Sequence, residues 1–94
     1  LGVPDFEANP GSDVTFTFPE VTDAGGTFII NFLGDSPFDG KRHEMDQAKK
    51  ITRKITVHPA GGAVVLFQYF IDWFENGVRT GGGSGSGVVP PTGR

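Results

Sequence analysis

The chain of 94 residues has no cysteine. It can therefore form no disulfide bond, no thiolate metal site and no cysteine nucleophile, and its core must be held by packing alone. It also has no apolar run of the roughly 18 residues that a membrane-spanning helix needs, and no signal-peptide pattern at its N-terminus. These absences predict a soluble protein without a targeting or transmembrane segment, and they leave its compartment open. The length predicts one domain.

Motifs for catalysis and cofactors are missing as well. No serine has the Gly-x-Ser-x-Gly surroundings of a nucleophile elbow, and no glycine-rich phosphate loop occurs. His43 and Asp46 have the spacing of a metal pair on a helix, but they lie among lysines, where an exposed surface turn is the favoured interpretation. The sequence thus predicts a protein that is not an enzyme and has no cofactor or metal. Asp23, Asp35 and Asp39, in glycine-containing loops, stay open as an alternative calcium site.

Charge is unevenly distributed along the chain. Residues 41–58 hold six basic and two acidic residues, a charge of +4, whereas the remaining residues hold two basic and nine acidic ones, a charge of −7. A polarised surface of this kind favours oriented binding or self-association. The overall acidity, and the lack of aromatic residues among the basic ones, argue against nucleic acid as a partner. The candidate binding residues of this segment are Lys49, Lys50, Arg53 and Lys54.

Apolar residues alternate with polar ones along much of the chain, which is the two-residue period of β-strands. Both faces of residues 27–33 are apolar, which places that strand inside a sheet. Asn76-Gly77 is the strongest hairpin signal, because both residues accept positive φ. Only residues 42–50 are rich in helix formers, and one or two helical turns are predicted there. Strands are predicted at residues 13–18, 27–33, 51–58, 63–75 and 78–80.

Short strands separated by glycine and proline turns predict a small all-β fold. The expected architecture is an antiparallel β-sandwich or barrel of about six to seven strands, either immunoglobulin-like or jelly-roll. It includes the short helical turn near residues 42–50. The spacing of the turns is that of an antiparallel meander.

The run of residues 81–87, Gly-Gly-Gly-Ser-Gly-Ser-Gly, has the composition of a flexible synthetic linker. It carries no large side chain that could pack. The prediction is a β domain at residues 1–80, a linker at residues 81–87 and a tail at residues 88–94.

Two hypotheses explain why an engineered linker would carry such a short tail. In a circular permutant, Arg94 was once joined to Leu1, and the tail is the original N-terminal strand. In a tethered complex, Val88 and Val89 pair with a sheet edge as a bound peptide. A natural linker and tail is the remaining alternative.

The aromatic run in residues 64–75 is the predicted binding surface. Both of its faces are apolar, but a strand of a two-layer sandwich buries only one, so the other must meet a partner, a ligand or a covering loop. The covering loop would be residues 34–50, with Phe38 and Met45 as plugs. Otherwise a protein partner or a second copy of the chain is the favoured occupant. The candidate binding residues of this run are Phe67, Tyr69, Asp72 and Trp73.

The leading functional prediction is a non-catalytic protein-interaction or self-assembly module that uses the aromatic hairpin and the basic residues 49–54. The alternative is a carbohydrate-binding module in which a glycan stacks on Trp73 or Tyr69. A tethered-peptide complex is the third possibility, together with a protease inhibitor whose original reactive bond joined Arg94 to Leu1.

One short segment resembles a known family. Residues 26–33, Gly-Thr-Phe-Ile-Ile-Asn-Phe-Leu, and the following Gly-Asp-Ser-Pro resemble a strand and turn of galectin-type lectins over about a dozen residues. The His-x-Asn-x-Arg and Trp-Gly-x-Glu sugar-binding motifs of that family have no counterpart in this chain. The chain is therefore not assigned to it.

Overall fold

A computed structural model describes residues 5–18, 25–46, 48–57 and 64–90, and these form seven β-strands and no helix. The all-β prediction is confirmed. Five of the strands make one sheet in the order β1-β7-β6-β3-β4, and β2 pairs with β5 in the other. The strands are β1 (Phe6–Glu7), β2 (Asp13–Phe16), β3 (Gly26–Leu33), β4 (Arg42–Glu44), β5 (Ile51–Lys54), β6 (Val65–Glu75) and β7 (Val78–Val89).

The turn between β6 and β7 is the predicted hairpin. Asn76 and Gly77 have φ angles of 51° and 81°, which is the pair of positive angles that a type I′ turn requires. This turn matches the right-handed twist of the strands it joins. The hairpin extends along the full length of β6, from the pair Glu75 and Val78 to the pair Val65 and Val89.

The prediction of a simple meander is wrong. β3 does not pair with β2, the strand before it, but with β4 and β6, and β2 pairs with β5 in the second sheet. β1 is parallel to β7, so the fold is not wholly antiparallel. This order is that of an immunoglobulin-like sandwich, in which strands C′, C, F and G share one sheet while B and E lie in the other. The topology therefore favours the immunoglobulin-like over the jelly-roll prediction.

The core lies between the two sheets and is rich in aromatic side chains. Phe16 on β2 meets Tyr69 on β6 edge to face, with ring centroids 5.7 Å apart, an arrangement that aromatic quadrupoles favour. Phe6 on β1 contacts Phe16 in the same manner at 5.6 Å. These ring contacts join the sheets in a chain that has no disulfide. Within the described ranges the buried apolar residues of this core are Phe16, Phe18, Phe28, Ile30, Phe32, Phe38, Ile51, Ile55, Phe67, Tyr69, Ile71 and Val89.

The helical turn predicted near residues 42–50 is wrong. Residues Arg42–Glu44 form β4, because they pair with β3 in antiparallel register. The chain then turns around Asp46, whose Oδ1 accepts hydrogen bonds from the backbone N–H groups of Ala48 and Lys50. Lys49 has a φ of 66°. Sheet pairing and a side-chain-capped turn thus outweigh the intrinsic helix propensity of these residues.

Residues 81–87, predicted from the sequence as a flexible linker, lie within a strand in the structure. These residues are the middle of β7, and they pair with β6 from Gly81 opposite Trp73 to Gly87 opposite Phe67. Val88 and Val89 continue the same strand. The backbone hydrogen bonds of the sheet hold a segment whose own side chains cannot. Circular permutation and a synthetic origin stay predictions, and the proposed joint between residues 94 and 1 lies outside the described residues.

Candidate functional site

The outward face of the five-stranded sheet, which we call the open face, carries Leu33, Leu66 and Phe70, three of the five exposed large apolar side chains among the described residues. Residues paired across neighbouring strands point to the same side of a sheet. One row across the open face is therefore Arg42, Asn31, Phe70 and Ser84, and the next is Glu44, Ile29, Asp72 and Gly82. The even positions of β6 run through the middle of this surface.

The apolar end of the open face is formed by Leu33, Leu66 and Phe70. Their exposed fractions are 50%, 58% and 45%. Leu33 lies opposite Gln68, and Leu66 and Phe70 flank Gln68 along β6. Diagonal neighbours of this kind are within side-chain reach. The three residues hence form one contiguous patch.

The polar end of the open face is a groove of about 520 Å³ beside Phe70. Arg79 Nε donates a hydrogen bond to Asp72 Oδ1 at 2.8 Å, and this pair forms one wall. Asn31 and Ser84 line the groove from the strands on either side of β6. A second depression of about 290 Å³, lined by Leu33, Gln68 and Ser86 among others, lies on the other side of Phe70.

Gly82 allows the wall of this groove to form. A Cβ at Gly82 would lie 2.4 Å from the carbonyl oxygen of Ile71 and 2.8 Å from Arg79 Nη2. The guanidinium group of Arg79 therefore occupies the space that a side chain at residue 82 would need. A β-bulge between Trp73 and Phe74 shifts the register just before this point, and bulges commonly redirect nearby side chains.

Two of the predicted binding residues belong to the core. Phe67 and Tyr69 are 4% and 1% exposed, because the odd positions of β6 face the second sheet. Trp73 is half-buried and packs against the core, and its Nε1 is buried without a hydrogen-bond partner among the described residues. Of the four candidate binding residues in the aromatic run, Asp72 is the one that lies on the open face. The period of two in β6 was apparent from the sequence, but both faces were apolar, so the pattern did not show which one is exposed.

The basic candidates lie apart from the aromatic hairpin. Arg53 and Lys54 are on β5, in the two-stranded sheet. Lys54 Nζ lies 3.3 Å from Asp13 Oδ1, whereas Arg53 is half-buried and directed to His43. Lys49 is half-buried and Lys50 is exposed in the turn before β5. The aromatic and basic candidates therefore do not form one surface.

His43 is buried at 3% exposure, so its interpretation as an exposed surface residue is wrong. Arg53 Nε donates to His43 Nδ1 at 3.1 Å, and His43 Nε2 lies 3.0 Å from the carbonyl oxygen of Gly40. Because Nδ1 accepts a hydrogen bond, Nε2 carries the ring proton and donates to that carbonyl. Burial lowers the pKa of His43; the positive charge of Arg53 acts in the same direction, and the bond to Gly40 opposes both. This neutral imidazole links β4 of one sheet to β5 of the other.

The connection at residues 34–50 does not cover the open face. Phe38 is 4% exposed and packs inside the sandwich, where its ring lies 5.5 Å from that of Phe32. Met45 also packs against the core. Both plugs predicted from the sequence thus act on the inner side of the sheet, and Leu33, Leu66 and Phe70 keep their exposure.

The ionisation of Tyr69 provides a test of this packing. Burial, followed by the negative charge of Asp5, raises the pKa of Tyr69 to about 12. Because the unfolded value is about 10, the stability linked to Tyr69 is complete below that pH and is lost as the pH rises through about 12. Tyr69 is the single tyrosine, so a phenolate absorbance titration of the folded protein reports it directly. A midpoint near 10 in a protein that is still folded would contradict the packing.

The fold and the open face define a small all-β sandwich with one exposed, partly apolar sheet face. The chain matches no protein-family model, no curated protein and no solved structure. In the described part of the chain, no helix is long and apolar enough to cross a membrane. No cluster of three or more potential metal ligands occurs among the residues that the structure describes; Asp23, one of the proposed calcium ligands, lies outside them.

Proposed function

We propose that this protein is a non-catalytic interaction module that self-associates through the apolar end of its open face. The observation that carries the proposal is the patch of Leu33, Leu66 and Phe70, each about half exposed on adjacent strands. A sheet face of a sandwich that meets only water usually carries polar residues. Large apolar side chains collected on such a face are typical of a surface that meets another protein.

A second copy of the chain is the partner that the charges favour. Two ion pairs lie on the open face: Arg42 with Glu44 on the edge strand β4, and Asp72 with Arg79 on β6 and β7. Two such faces therefore approach each other without net repulsion from these groups. In a two-fold dimer each patch meets its own counterpart, so both copies bury the same three apolar side chains. Each of the two copies thus buries apolar surface in the dimer. Each square ångström of apolar surface buried contributes about 25 cal/mol to the free energy of association.

Sedimentation velocity over a concentration series tests this proposal. The unchanged protein is expected to show a concentration-dependent dimer, and Leu66→Lys should weaken its association by at least about tenfold, because a charge would be buried at the interface. Val78→Lys is the matched control, since Val78 is 68% exposed but lies at the hairpin turn, away from the patch. A protein that stays monomeric at every concentration, or equal effects of the two lysine variants, would refute self-association through this face.

The carbohydrate alternative needs an exposed aromatic ring. Tyr69 is in the core and Trp73 is half-buried, so neither of the two rings chosen from the sequence has a free face on the open surface. Phe70 has one, at 45% exposure. The carbohydrate alternative therefore rests on Phe70.

A further inference from the structure

We propose that the groove between Phe70 and the Asp72–Arg79 pair is a binding site for a neutral oligosaccharide. This site goes beyond self-association, because its polar groups lie outside the apolar patch and Leu66 is not part of it. It shares Phe70 with the patch, and Leu33 lines the second depression. Its chemistry combines an exposed aromatic ring, uncharged hydrogen-bonding groups and a charge pair that sums to zero.

Phe70 supplies the stacking surface. Its ring is about half exposed and stands between the two depressions of about 520 Å³ and 290 Å³. The apolar face of a pyranose ring packs well on such a ring, and the two depressions give room for sugar units before and after it. A chain of several sugars, rather than a single one, fits this linear arrangement.

The polar groups beside Phe70 suit sugar hydroxyls. The side chains of Asn31 and Ser84 lie in the same row as Phe70 and have no hydrogen-bond partner within the described ranges. An amide and a hydroxyl both donate and accept, as sugar hydroxyls do. Asp72 accepts the hydrogen bond from Arg79 with one carboxylate oxygen. Its other oxygen can accept from a neighbouring sugar hydroxyl, and the remaining N–H groups of Arg79 can donate to one. Because this pair is neutral as a whole, the groove has no excess charge to select an anion.

The glycine-rich centre of β7 keeps the groove open. Gly82 and Gly83 line it without side chains, so the sugar can approach the backbone between β6 and β7. Arg79 lies over Gly82, where a Cβ would be 2.8 Å from its Nη2. A larger residue would displace the guanidinium group and fill the space that a ligand needs. The sequence run that resembled a linker is, on this inference, part of a binding surface.

Nuclear magnetic resonance titration of the ¹⁵N-labelled full chain tests the inference. The probes are oligomers of glucose, mannose, galactose, xylose and N-acetylglucosamine, with inorganic phosphate as the anionic comparison. At least one neutral oligosaccharide is expected to shift the backbone amide signals of Gly82, Gly83 and Ser84 in a saturable manner. The signals of Lys50 and Lys54, on the other side of the sandwich, should stay unchanged.

Variants then separate a specific site from surface adsorption. Phe70→Leu keeps an apolar side chain but removes the ring, and Asn31→Ala removes the amide; each should weaken binding by about tenfold. Thr17→Ala, at an exposed position just after β2 of the other sheet, is the control that should bind like the unchanged protein. Thermal unfolding of each variant checks that the fold is retained. Leu66→Lys separates this site from self-association, because it weakens the dimer that covers Phe70 but removes no residue that lines either depression; sugar binding should therefore be at least as tight as in the unchanged protein.

Three results would overturn the inference. No neutral oligosaccharide shifts the groove signals, or Phe70→Leu binds as tightly as the unchanged protein, or phosphate shifts these signals while the sugars do not. The last result would make the groove an anion site that uses Arg79. A monomeric protein that still binds the oligosaccharide would refute the proposed self-association and leave the glycan site supported.

Discussion

A chain that ends at Thr80, and so lacks residues 81–94, is expected not to fold. Residues 81–89 are the larger part of β7, and their loss removes the hydrogen-bonded neighbour of β6 along nine register pairs, from Trp73 to Val65. β1 loses its partner as well, because it pairs only with Gly87 and Val88 among the described strands. A sheet of five strands would be reduced to β6, β3 and β4 with an exposed edge.

The loss extends into the core. Val89 has no exposed surface, and the ring of Phe6, which lies within 6.1 Å of the rings of Phe38 and Tyr69, depends on β7 for its position. A domain of this size has a total stability on the order of 5–15 kcal/mol. Losing one strand, one fully buried valine and the anchorage of one core phenylalanine is expected to exceed it.

Circular dichroism and nuclear magnetic resonance of the shortened chain measure this outcome. The expected result is a narrow dispersion of amide signals and no cooperative thermal transition. A chain that ends at Pro90 is the control, because it keeps β7 whole and should retain the fold. Cooperative unfolding of the chain that ends at Thr80 would contradict the structure and restore the original interpretation of residues 81–87 as a flexible tether.

Replacing Gly82 or Gly87 with alanine is expected to lower the free energy of unfolding by about 1–3 kcal/mol in each case, the usual effect of overpacking. A Cβ at Gly87 would lie 2.2 Å from Cζ of Phe6, and one at Gly82 would lie 2.4 Å from the carbonyl oxygen of Ile71. Both contacts are closer than atoms can approach. Phe6 cannot move away freely, because its ring is stacked in the core, and the carbonyl of Ile71 belongs to the sheet backbone.

Gly81 is the matched control within the same strand. A Cβ there would meet only Cε3 of Trp73, at 3.9 Å, an ordinary contact distance. Gly81→Ala is therefore expected to be neutral or to stabilise by up to about 1 kcal/mol, since alanine restricts the unfolded chain. Urea unfolding followed by the fluorescence of Trp73, the single tryptophan, measures all three variants. Equal, small effects at the three positions are the result that a flexible linker would give.

The elements predicted correctly are those whose signal is local. Asn76-Gly77 forms the hairpin turn because its two residues tolerate positive φ wherever they occur. The strands at Asp13–Phe16 and Ile51–Lys54 follow an alternation that is complete within a few residues. The interior position of β3, between β4 and β6, follows from its apolar residues on both faces. In each case neighbouring residues carry enough information to determine the backbone conformation.

The features predicted wrongly are those whose conformation or burial depends on a strand that is distant in the sequence. Residues 42–50 have helix propensity, but β3 offers Arg42–Glu44 a register to pair with, and a few tenths of a kcal/mol of propensity per residue do not compete with that. His43 is buried because β4 and β5 meet around it, with Arg53 as its partner. Neither contact can be read from residues next to His43 in the chain.

The amino-acid sequence by itself determined that this protein is all-β, that its core holds without disulfides, and where most of its strands and its main hairpin lie. Only the tertiary structure decided which face of β6 is buried and which is open, because both faces are apolar and the second sheet covers just one. The tertiary structure also decided the backbone conformation of residues 81–87, which is that of a strand. Glycine has almost no conformational preference of its own, so whether such a run is a coil or a strand depends on the partner beside it. Here β6 supplies the hydrogen bonds, and Phe6 and Arg79 occupy the space that the missing side chains leave.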